Sequence, residues 1–100
     1  MSRKTPGEFK TSLSFAEPPE GLSAHGKALW YAGKGDWEMA HNIVQKMNDQ
    51  RSAQIHGFLH RKEGDLSNAR YWYDKSGTRM PEVSLDEEWE ALVTNFSIYA

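Results

Sequence analysis

The side chains best equipped for chemistry in this sequence are its histidines, His25, His41, His56 and His60. His56 and His60 stand four apart, so on a helix they share one face. Two imidazoles at that spacing can bind zinc or another transition metal. A protein site needs a third ligand, and His41, on the neighbouring helix, is the candidate. No His-Glu-x-x-His motif is present. The competing reading is a packed polar cluster, in which His41, His56 and His60 find hydrogen-bond partners in Tyr71, Tyr73 or a backbone carbonyl. The sequence favours this second reading, with no metal, no cofactor and no enzymatic activity expected. A histidine-based metal-binding protein or enzyme built on His41, His56 and His60 is the alternative.

Other chemistries find less support. The chain has no cysteine, which excludes a disulfide framework, a thiolate zinc site and a thiol nucleophile. Its serines fall in turns or caps, and none sits in a nucleophile elbow. The glycines mark helix ends and hairpins and form no phosphate-cradling loop. The carboxylates occupy caps and helix faces, so no paired acid–base site is indicated. Tyr71-Trp72-Tyr73 is a dense aromatic cluster in which Trp72 and Tyr73 are expected in the core and Tyr71 at the rim.

The elements that must position these groups fit one small domain. The chain has 100 residues, 38% of them hydrophobic and 26% charged, with a net charge of −2. That composition suits a single globular unit. The longest apolar run, residues 28–32, is far short of the ~20 residues of a membrane span. No apolar stretch follows Met-Ser-Arg-Lys-Thr-Pro-Gly, so no secretory signal is expected and the default location is the cytoplasm. Charge divides unevenly along the chain. Residues 51–80 carry six basic against three acidic groups, and residues 81–100 carry five acidic and none basic. The two segments are either separate solvated faces or an acidic end docked on a basic middle. Nucleic-acid binding is not expected, because it needs an uncompensated basic surface.

Residues 1–21 contain Pro6, Gly7, Pro18, Pro19 and Gly21. Between them Phe9, Thr11, Leu13 and Phe15 alternate with polar residues, a period of two that predicts an extended arm. From Leu22 the pattern is helical. Gly33 and Gly35 end a first helix, and Asp36 is placed to cap a second. Trp37, Ala40, Ile43, Val44 and Met47 form its apolar stripe. A third helix carries Ala53, Ile55, Phe58 and Leu59 and stops at Gly64. Asp65 caps a fourth, with Leu66, Ala69, Trp72 and Tyr73 on one face. Ser84 and Glu87 form a capping box before a fifth, with Leu85, Trp89, Leu92, Val93 and Phe96 as its stripe. The expected layout is an arm over 1–21 and one helical domain over 22–100. Its hairpins span 22–48 and 50–77, and its C-terminal helix spans 84–99.

The two hairpins repeat one another at an offset of 29 residues. Ala24 falls on Ala53, Ala28 on Gly57, Leu29 on Phe58, Gly35 on Gly64, Asp36 on Asp65 and Ala40 on Ala69. Each half reads as helix, Gly-Asp turn, helix. With Gly35-Asp36-Trp37 and Ala40, and Gly64-Asp65-Leu66 and Ala69, the chain resembles the tetratricopeptide repeat over residues 22–77. Its spacing of 29 is shorter than that family's ~34. Residues 40–45, 55–65 and 68–73 also resemble a family of short, uncharacterised helical proteins. That likeness supports the fold and transfers no activity.

The first resemblance implies an all-α fold of two antiparallel hairpins with a C-terminal capping helix. It also implies a groove along the first helices of the hairpins. Here the groove would expose Leu29, Arg51, Gln54, Phe58, Arg61 and Lys62, a mixed apolar and basic surface suited to an acidic or C-terminal peptide. The acidic last helix is the competing occupant. The function expected from sequence is therefore a small protein-interaction domain with a protein or peptide partner and no membrane partner. A homodimer through the arm or an aromatic face is the further option.

Overall fold

The computed structural model describes residues 6–96, 98 and 99. Among these residues six helices follow one another: α1 Pro6–Thr11, α2 Ala24–Lys34, α3 Trp37–Val44, α4 Gln50–Glu63, α5 Leu66–Ser76 and α6 Leu85–Asn95. A 3-10 turn, Ser12–Ser14, extends α1. The described residues contain no strand, and one isolated antiparallel bridge joins Leu22 to Tyr99. Among these residues no helix is long and apolar enough to cross a membrane.

The two Gly-Asp turns are built alike. Gly35 and Gly64 take left-handed φ values of 86° and 90°, a region that costs a side-chain-bearing residue energy. The Gly35 N–H donates to the Ala32 carbonyl and that of Asp36 to Tyr31; 29 residues on, Gly64 donates to Arg61 and Asp65 to His60. The carboxylates of Asp36 and Asp65 then accept the N–H groups of Met39 and Asn68. Helix α2 packs on α3 across the first turn and α4 on α5 across the second, and α4 also contacts α2 and α3. Small residues set the helix approach. Ala28 and Ala40 are fully buried, and a Cβ on Gly57 would sit 3.0 Å from the Tyr73 ring.

Helix α6 crosses α2 and α4 and meets α1. Its capping box is formed, with Ser84 Oγ accepting from the Glu87 N–H and the Glu87 carboxylate accepting from the Ser84 N–H. Trp89, Leu92 and Val93 enter the core beside Leu29, Trp30 and Phe58. The Trp89 indole N–H donates to the Leu29 carbonyl at 2.8 Å.

Two expectations need correction. Residues 6–14 of the N-terminal segment are helical, where an extended arm over 1–21 was expected. Phe9 and Leu13 are two alternations apart on a strand but also one turn apart on a helix, and burial decides for the helix. Phe9 is fully buried and stacks on Trp89 with ring centroids 5.8 Å apart. Ser12 Oγ donates to the Phe9 carbonyl and accepts from the Trp30 indole at 3.1 Å. Phe15, which shares the alternating pattern, is exposed. Residues 1–5 of the expected arm lie outside the described residues. The last helix ends at Asn95, short of 99. Phe96 is extended, at ψ 153°, and the chain doubles back so that the Ser23 N–H donates to the Ile98 carbonyl at 2.9 Å.

Candidate metal centre

Three of the four histidines come together where α3 meets α4. His41 projects from α3, and His56 and His60 project from α4, one turn apart. Trp37 fixes the relation of these helices, because its indole N–H donates to the Leu59 carbonyl on α4 at 2.6 Å. The same indole stacks on His41 at 4.7 Å and 10°. On the far side, Trp72 of α5 stacks on His56 at 3.7 Å and 8°. Two tryptophan faces therefore hold the imidazoles in place.

Within this frame His41 Nε2 and His56 Nε2 are 3.0 Å apart. One of the two nitrogens carries the shared proton and the other accepts it. His60 Nδ1 meets Glu63 Oε2 at 2.6 Å. One ring nitrogen from each of His41, His56 and His60 lies within 4.8 Å of the others. Around a tetrahedral zinc with Zn–N of 2.0–2.1 Å, ligand nitrogens stand about 3.4 Å apart. The His41–His56 pair would open by a few tenths of an ångström to admit an ion. His56 and His60 are buried, at 5% and 6% exposure, while His41 is only partly covered.

Electrostatics disfavour charge on His41 and His56. Burial, and then the nearby His41, His60 and Lys75, push His56 down to about 4. Burial and His60 also lower His41. Neutral imidazole is the form that binds a metal. His60, Glu63 and Asp65 make a second convergent set, but its two carboxylates are exposed and that of Asp65 caps α5.

The expected tyrosine partners lie elsewhere. Tyr71 is exposed and meets Trp72 edge-on. The Tyr73 hydroxyl donates to Glu88 Oε2 at 2.5 Å, and burial followed by that carboxylate pushes its pKa up. The histidines' neighbours are instead one another, Glu63, Trp37 and Trp72. The sequence placed Trp37 and Trp72 on apolar helix faces and gave Glu63 no role. Glu63 stands three residues after His60, and Trp37 four before His41, so both were one turn away on the same helix. His25 is remote from the cluster, bonded to Asp49 at 2.8 Å and Ser52 at 3.1 Å at the start of α4.

The residues assigned to an open groove do not form one. Leu29 and Phe58 are buried in the core. Arg61 is bound to Glu88 Oε1 at 2.7 Å and to the Val83 carbonyl, and Lys62 Nζ donates to the Ala32 carbonyl at 3.0 Å. Gln54 is partly exposed and Arg51 is exposed, with the Arg51 guanidinium 5.6 Å from the Phe96 ring centroid. The acidic helix α6 occupies the surface of α2 and α4 where a peptide was expected, as the charge split along the chain allowed.

Comparison with known proteins gave no matching family model, no matching curated protein and no matching solved structure.

Proposed function

We propose that this protein binds one divalent transition-metal ion through His41, His56 and His60, within a frame of two shortened tetratricopeptide-like hairpins. The convergence of three imidazoles, with one ring nitrogen of each within 4.8 Å of the others, carries the reading. The matching hydrogen bonds of the Gly35 and Gly64 turns support the repeat. An all-nitrogen donor set suits zinc, copper, nickel or cobalt, whereas magnesium and calcium want oxygen ligands. Glu63 would be the outer partner, since a carboxylate on the far nitrogen of a ligating imidazole fixes its tautomer and raises its basicity.

A metal here would link α3 to α4 and so staple one hairpin to the other. An ion that binds only the folded chain stabilises it by about 2.7 kcal/mol at a hundred times its dissociation constant. The test is titration of tag-free, chelator-stripped protein with zinc or cobalt, followed by calorimetry and thermal melting. One ion per chain and a raised melting temperature are expected. Both should be lost in His41→Ala, a site whose partial exposure makes the substitution tolerable for folding. Absence of zinc and cobalt binding at micromolar concentration would refute the proposal.

A further inference from the structure

We infer that the metal centre keeps one exchangeable coordination position, open on the His41 side to water or a small monodentate anion. The inference rests on the metal-binding reading and goes further, to the ligand the loaded site would accept. Structural zinc sites are closed by four protein ligands, whereas sites with three protein ligands leave the fourth position to water or substrate.

Here the set stops at three. Among the described residues no further His, Asp or Glu joins the cluster of His41, His56 and His60, and the remaining residues, 1–5, 97 and 100, include none. The chain has no cysteine to complete the set. The Glu63 carboxylate is held by His60 Nδ1. The flanking walls offer no ligand either, since Trp37 and Trp72 present ring faces to the imidazoles and the Trp37 N–H is spent on Leu59.

Exposure gives the direction of opening. His56 and His60 are buried, His56 against Trp72 of α5, while His41 is partly solvent-accessible. A divalent ion held by three neutral imidazoles keeps its full double charge, so an anion is the favoured fourth ligand. Hydroxide, azide, thiocyanate and a single carboxylate oxygen share that chemistry.

The experiment uses the full chain loaded with one equivalent of cobalt, whose visible bands report coordination number and ligand type. Sodium azide is titrated in, and the oligomeric state is followed by sedimentation. A saturable change in the visible spectrum, with one azide per cobalt and the chain monomeric, is the expected result. An unchanged spectrum with azide in large excess would overturn the inference while leaving the metal site standing. A cobalt shared between two copies of the chain would also overturn it, because a second chain would then fill the fourth position. Failure of cobalt to bind at all would remove the metal site and the open position together.

Discussion

Asp49 serves two purposes at the start of α4. Its carboxylate accepts the Ser52 N–H as the helix cap and also bonds the Ser52 hydroxyl and His25. Burial pushes its pKa up, yet the bonds from Ser52 and His25 together outweigh burial and hold it at about 2, below its ordinary 3.8. A carboxyl lowered on folding stabilises the fold above its unfolded pKa and loses that contribution as pH falls through the folded value. The wild-type chain should therefore lose stability between about pH 4 and pH 2. Asp49→Asn, which keeps a capping oxygen, should flatten that part of the pH profile in denaturant melts. The caps at Asp36 and Asp65 each hold one backbone N–H. Replacing either with alanine should cost about 0.5–2 kcal/mol, and an unchanged melt in both variants would show that the caps contribute nothing. At the proposed metal centre, Glu63→Gln should weaken zinc affinity by about 10–100-fold, measured by competition with a chelating dye.

At the scale of elements, the α4–α5 contact and the α6 latch carry the sharpest consequences. Gly57 lets the Tyr73 ring lie against α4. Gly57→Ala should raise local helix propensity but crowd a buried ring, and overpacking of that kind costs about 1–3 kcal/mol. At the 29-residue offset the same trade of volume recurs, with Ala28 and Val44 at the positions matching Gly57 and Tyr73. Glu88 is 4% exposed and accepts from both Arg61 and Tyr73. Glu88→Ala would strand a mostly buried guanidinium and a buried phenol, and breaking such a pair costs about 3–5 kcal/mol. The Lys10–Glu90 pair joins the same helix to α1 but is exposed on both sides. Lys10→Ala should leave the melting curve unchanged, and comparison of the two variants by thermal denaturation tests the difference.

At the scale of the molecule, α2, α3 and α4 share a core with α1 and α6. Trp89, Leu92 and Val93 each bury nearly all of their surface, and side chains of this kind contribute about 1.5–3 kcal/mol apiece. Their combined contribution is comparable to the whole ~5–15 kcal/mol of a typical domain. Removal of residues 84–100 should leave a chain that unfolds or aggregates, as judged by circular dichroism and size-exclusion chromatography. A cooperatively melting fragment 1–83 would show that α6 is peripheral.

The sequence by itself determined the parts whose cause is local. Gly35-Asp36 and Gly64-Asp65 mark their turns because a left-handed residue followed by a capping carboxylate needs no distant partner. Ser84 and Glu87 mark the start of α6 for the same reason, and the 29-residue repeat was legible in those positions. Tertiary structure decided the rest. Phe9 and Leu13 fit a strand or a helix until Trp89 and Trp30 were present to bury and bond that segment. Arg61 and Lys62 looked like a groove for an acidic partner until α6 folded back and brought Glu88 to Arg61. The i, i+4 spacing of His56 and His60 was visible in the sequence, but their approach to His41 depends on the distance and rotation between α3 and α4. The Trp37 bond to Leu59 and the Trp72 stack on His56 set that relation, and such contacts between separate helices leave no periodic trace along the chain.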